Sequence, residues 1–112
     1  MKIEKKKWTL DEWAKEIHRN AEEHGWWDEP RSFGDIVALC HSELSEALEE
    51  DRKGCDNIYI AAGKPEGIAV ELIDCVIRIL DWFGQQGIDP GEVMAIKHCF
   101  NIGRPYKHGK RY

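Results

Sequence analysis

The sequence predicts an all-α, four-helix-bundle-like protein, and three observations predict it. Four stretches carry apolar residues at helical spacing. Each opens on a capping residue or a proline and closes near a glycine. No stretch alternates apolar and polar residues convincingly, as a half-buried strand would. The 112 residues, 42% hydrophobic and 33% charged, read as one helical domain over 1–112 with a basic C-terminal tail at 104–112. A chain of this size can fold without disulfide or metal staples.

The first helix is expected to open at Thr9-Leu10-Asp11-Glu12, a capping box, and to carry Trp13, Ile17 and Ala21 on one face until Gly25. Trp26-Trp27-Asp28-Glu29-Pro30 reads as a loop, because Pro30 disfavours helix at the residue before it. The second helix starts near Ser32 and carries the stripe Phe33, Ile36, Val37, Cys40, Leu44, Ala47 and Leu48. It fades near Arg52-Lys53-Gly54, where cations suit the negative end of a helix dipole. Ile58-Tyr59-Ile60 has no obvious strand partner and reads as loop or helical turn. The third helix follows Lys64-Pro65, with Pro65 as its first residue, and runs to Gly87. It is apolar nearly all round between Ile68 and Phe83, the mark of a central buried helix. The fourth opens at Asp89-Pro90-Gly91-Glu92, faces inward with Val93, Ile96 and Phe100, and ends near Gly103-Arg104-Pro105.

Composition narrows the compartment and the partners. No segment is apolar for long enough to span a bilayer, and Met1–Lys7 leads into polar sequence with no signal-peptide core. Cys40, Cys55, Cys75 and Cys99 form no Cys-x-x-Cys pair, which favours a reducing, cytoplasmic setting. The net charge of −5 divides unevenly: +3 over residues 1–7, +4 over 104–112, and hence −12 between them. So acidic a body argues against nucleic-acid binding, which needs many cationic contacts. It suits a ligand that carries a metal cation together with phosphates.

The polar residues of the third helix, Glu71, Asp74, Arg78 and Asp81, are spaced three, four and three and form one ridge. Arg78 could pair with Asp74 and Asp81 at helical spacing, which leaves Glu71 without a partner. On the second helix Glu43 and Glu46 are one turn apart, with Glu50 a turn further on. At about 100° per residue, Glu43 falls angularly between Ile36 and Leu39, at the border of the packed face. Two helices thus each present a carboxylate pair to a shared interface. Four converging carboxylates repel one another unless a hard cation joins them, and all-oxygen ligation suits Mg²⁺ or Mn²⁺. No Asp or Glu has a His three residues later, which disfavours a di-iron bundle. Lys97, Asn101 and Arg104 form a complementary polar face, continued by Tyr106, Lys107 and His108, whose cations and donors suit phosphate oxygens.

His41-Ser42-Glu43-Leu44-Ser45-Glu46, followed by Glu71-Leu72-Ile73-Asp74, resembles the MazG-like all-α nucleoside triphosphate pyrophosphohydrolases, which are marked by E-E-x-x-E and a later E-x-x-D. Ser42 departs from the doubled glutamate. The likeness runs from about Trp26 to Tyr112, and residues 1–25 match only in being helical. The resemblance implies a MazG-type fold and hydrolysis of a nucleoside triphosphate to the monophosphate and pyrophosphate, in nucleotide-pool housecleaning. It also implies metal on Glu43, Glu46, Glu71 and Asp74, with Glu43 or Glu46 accepting a proton, and phosphate contacts from Lys97, Asn101, Arg104, Tyr106, Lys107 and His108. A homodimer or homotetramer is implied as well. Trp26 and Trp27 are candidate base-stacking platforms, though adjacent tryptophans are more often packing anchors. His18, His24, His41 and His98 read as helix-surface or packing residues. The alternative is a non-enzymatic helical oligomerisation or interaction module, whose carboxylates would be a solvated ridge.

Overall fold

The computed structural model describes residues 3–111, the side chain of His108 excepted. It is predominantly helical, and its elements follow from local sequence. α1 (Leu10–Glu23) begins where Thr9 Oγ1 accepts from Glu12 N at 3.1 Å and Glu12 Oε1 accepts from Thr9 N at 3.1 Å, so two otherwise unsatisfied donors are capped reciprocally. α2 (Phe33–Lys53) begins on Ser32, whose hydroxyl accepts from Asp35 N, and ends at Gly54 in the left-handed region. α3 (Ile68–Gln86) ends the same way at Gly87. α4 (Pro90–Ile102) is capped by the Asp89 carboxylate, 2.8 Å from Gly91 N, with Pro90 in the first turn. A short 3₁₀ turn, Tyr106–Gly109, shapes the tail.

Two readings of the segment before α3 are corrected. Tyr59–Ala61 (β1) pairs antiparallel with Lys64–Glu66 (β2), Ile60 opposite Pro65. Ala62 and Gly63 join them with φ of 52° and 77°, the backbone of a two-residue hairpin turn. Pro65 is therefore a strand residue and not the first of the helix; in a two-stranded ribbon both strands are edges, where proline is tolerated. α3 starts three residues later, at Ile68, after Gly67. There the Asn57 carbonyl accepts from Ala69 N, and a Cβ on Gly67 would lie 2.3 Å from that same oxygen.

α3 is the central element, packed against α2 on one side and α1 on the other. The α1–α3 crossing is tight at Gly84, where a Cβ would stand 2.5 Å from the Ala14 carbonyl oxygen; Ala14 itself is wholly buried. α4 packs against α1 near its own start and leads away from the other helices. The expected inner face of α4 is accordingly corrected: Val93, Ile96 and Phe100 are all exposed. So are Leu44 and Leu48 on α2 and Leu72, Ile73, Val76 and Ile79 on α3. The buried apolar side chains among the described residues are Ala14, Ile36, Ala47, Cys75, Leu80 and Pro90. A radius of gyration of 16.5 Å exceeds the roughly 13 Å of a compact chain near this length, as a projecting α4 requires.

Gly84→Ala tests the crossing. Helix propensity alone would add about 1 kcal/mol of stability, while forcing a methyl against the α1 backbone costs more, so a net loss of roughly 1–3 kcal/mol is expected in urea denaturation. An unchanged or raised midpoint would contradict the close approach.

Candidate metal and phosphate site

The 3–4–3 ridge of α3 faces one cavity of about 570 Å³, lined by Glu71, Asp74, Arg78 and Asp81 together with Glu43 and Glu46 of α2. The two carboxylate pairs expected from the sequence are thus brought together. Glu43 is buried, at the border of the α2 stripe where its helical angle places it beside buried Ile36; Glu71 is buried and Asp74 half-buried. Glu46 is exposed and forms the open side of the group. Carboxylate oxygens of Glu43, Glu46 and Glu71 lie within 4.8 Å of one another.

Electrostatics follow from that crowding. Burial, and then the neighbouring Glu46, push the Glu71 carboxyl up to about 7. Burial also raises Asp74, against the pull of Arg78. The arginine does not pair with Asp74 or Asp81, the helical neighbours open to it. Its Nη2 donates across to Glu43 Oε1 at 3.2 Å, and its guanidinium lies over the Trp26 ring, 4.9 Å from the centroid. Asp81 instead accepts from Trp27 Nε1 at 3.0 Å on both oxygens and bonds His18 Nδ1 at 2.7 Å. The alternative of an Arg78–Asp74–Asp81 salt bridge is therefore not realised: α1 and the α1–α2 loop satisfy Asp81, and Arg78 pairs with α2. His18 and Trp27 act as a clasp between α1, the loop and α3. The ridge pointed to Arg78 and Asp81, but spacing along one helix carries no information about partners on another.

A second acidic group, Glu50, Glu66 and Glu71, shares Glu71 with the first. Its other members already have partners: the Tyr59 hydroxyl donates to Glu50 at 2.9 Å, and Lys64 Nζ pairs with Glu66 at 3.6 Å. Among the described residues Glu46 and Glu71 have no ion pair with a cation. An all-oxygen donor set, close-set and undercompensated, is what a hard divalent ion takes, so the first group fits Mg²⁺ or Mn²⁺.

Trp26 lines this cavity and lies under both Arg31, at 4.7 Å, and Arg78. The indole N–H of Trp27 is committed to Asp81. Lys97, Asn101, Arg104, Tyr106 and Lys107 do not line the carboxylate cavity. Lys97 and Arg104 both stand over the Phe100 ring, at 4.8 and 5.5 Å, so the expected basic face of α4 exists, but apart from the acidic one. Asn101 keeps a buried side-chain oxygen without a hydrogen-bond partner. The His108 side chain lies outside the described residues. Lys64, Asn20 and Trp13 also line the cavity, and nothing in their spacing singled them out.

No family model matches the chain, and neither a curated protein nor a solved structure matches it.

The raised Glu71 carboxyl has a sign that can be measured. A carboxyl whose folded-state pKa exceeds its unfolded one stabilises the fold most at low pH, and that stabilisation is lost as pH rises through the folded value. Metal-free protein should therefore melt at progressively lower temperature between pH 5.5 and 8 as the Glu71 proton leaves. Saturating Mg²⁺ should flatten the decline at its alkaline end, because the ion needs the deprotonated ligand. Scanning fluorimetry with and without chelator checks both. A metal-free melting temperature that climbs from pH 6 to 8 would contradict the crowded carboxylates.

Proposed function

We propose that the chain is a Mg²⁺-dependent nucleoside triphosphate pyrophosphohydrolase of the MazG-like kind, giving the monophosphate and pyrophosphate, with Mn²⁺ as an alternative ion. The single observation that carries the reading is the convergence from two helices of the Glu43, Glu46 and Glu71 carboxylates to within 4.8 Å of one another, in an open cavity that Asp74 also lines. Mg²⁺ bound there would supply neutralisation of phosphate charge and acidification of a water molecule. Glu43 and Glu71, buried on facing helices, hold the interior side of the donor set. Glu46, on the open side and not bonded to Arg78, is the carboxylate best situated to accept the proton of the attacking water. Trp26 lines the cavity and would stack a base by exchanging it for the Arg31 guanidinium that now covers the ring. The product pair, its housecleaning role and a cytoplasmic setting rest on the motif resemblance; no described helix is long and apolar enough to cross a membrane.

A homo-oligomer belongs to the same proposal. The exposed apolar residues of α2, α3 and α4 are more than a soluble monomer ordinarily leaves uncovered. A second copy, in a homodimer or homotetramer, would cover them and could bring the Lys97–Arg104 face to a neighbour's carboxylates. The same surface favours the second reading, a helical interaction module without catalysis.

Turnover separates the two. Pyrophosphate release from a panel of normal and modified triphosphates should require Mg²⁺ and vanish with chelator. Glu71→Gln should lower it by at least about a hundredfold, as one anionic ligand is lost. Helix content by circular dichroism should stay, and metal-free stability should hold or rise as the repulsion is relieved. Near wild-type turnover in Glu71→Gln would refute the site; metal-independent folding with no turnover on any triphosphate would favour the interaction module.

A further inference from the structure

Arg78 is the arginine of the cavity, and its bonding is incomplete. A guanidinium has five N–H donors. One of them meets Glu43, at 3.2 Å and through a single nitrogen, and the Trp26 ring covers one face of the group. Asp74 and Asp81, the acids at helical spacing from it, form no hydrogen bond or ion pair with it among the described residues. The side chain is partly exposed at 28% and lines the carboxylate cavity. An ion pair that held the guanidinium firmly would use its planar fork bidentately. This one is monodentate and open, and it engages a carboxylate that the metal reading requires elsewhere.

We propose that Arg78 is a phosphate-binding residue: it holds Glu43 in the metal-free protein and exchanges that carboxylate for an oxygen of a polyphosphate when Glu43 turns to a cation. The inference rests on the metal-dependent triphosphate reading and deepens it, by assigning phosphate recognition to a residue of α3 inside the cavity, which α4 and the tail of the same chain do not line. The chemistry favours it on three grounds. Arginine matches phosphate oxygens with paired donors. A dication on Glu43 removes the charge that holds Arg78 and repels the guanidinium itself. Trp26 fixes the guanidinium plane at the cavity rim, so fewer degrees of freedom are lost when it binds.

The two ligands should respond in opposite directions, which a merely structural arginine would not allow. Mn²⁺ alone, followed by its electron paramagnetic resonance signal, should bind Arg78→Met at least as tightly as the wild-type chain, since Glu43 has lost its competitor. Inorganic tripolyphosphate at saturating Mn²⁺, measured by calorimetry, should bind Arg78→Met at least about tenfold more weakly. Arg78→Lys, which keeps the charge and stem but not the fork, should retain Mn²⁺ binding and fall between the two for tripolyphosphate. It also serves if the methionine variant does not fold. Tripolyphosphate affinity unchanged in these variants, or Mn²⁺ and tripolyphosphate lost together, would overturn the assignment, as would a wild-type chain that does not bind tripolyphosphate. Arg78-dependent tripolyphosphate binding in a protein that releases no pyrophosphate would keep the subsite and remove the reaction.

Discussion

Repulsion among carboxylates on two packed helices is the constraint around which this molecule is arranged. Glu43 and Glu46 on α2 meet Glu71 and Asp74 on α3 where helices ordinarily bury aliphatic side chains. Burying one such charge unpaired is costly, and clustering several multiplies the cost. The structure meets it in three ways. Arg78 reaches across the interface to Glu43, Glu71 holds its proton up to about neutral pH, and Glu46 stays in contact with water. Each is partial. Together they leave an acidic cavity whose charge is only partly compensated, which is why a divalent cation is proposed there.

The surrounding scaffold keeps that cavity in place. Gly84 lets α1 approach α3 to backbone contact, and His18 and Trp27 bind the far end of the same ridge through Asp81. At the near end the β1–β2 hairpin and the Asn57 carbonyl tie down the start of α3, one turn before Glu71. Little of this stability comes from a closed hydrophobic core, since no large side chain among the described residues is fully buried. The apolar surface left on α2, α3 and α4 is why assembly with further copies forms part of the proposed function. In that proposal, hydrophobic burial that one chain leaves undone would be completed between chains.

The helix boundaries were legible because caps are local chemistry. Thr9, Ser32 and Asp89 bond to donors two or three residues away, and Gly54 and Gly87 close helices through their own backbone freedom. The carboxylate convergence was legible because spacings of three and four on an apolar helix allow few arrangements. What escaped was non-local. The hairpin hid behind Pro65, a residue that ordinarily argues against strand. The partners of Arg78, Asp81 and Trp27 lie on other elements, at sequence separations that periodicity does not encode. The inner face assigned to α4 failed for the same reason: Val93, Ile96 and Phe100 form a stripe, but a stripe does not say whether its cover comes from the same chain.

The central claim is that the four carboxylates form a cation site, and a crystal soaked in Mn²⁺ tests it most directly by anomalous scattering. A peak is expected bounded by Glu43, Glu46, Glu71 and Asp74, with carboxylate oxygens at roughly 2.0–2.3 Å and the Arg78 guanidinium withdrawn from Glu43. A crystal that takes up Mn²⁺ elsewhere, or not at all, while Arg78 stays bonded to Glu43, would contradict it and leave the acidic cluster a structural feature of the α2–α3 interface.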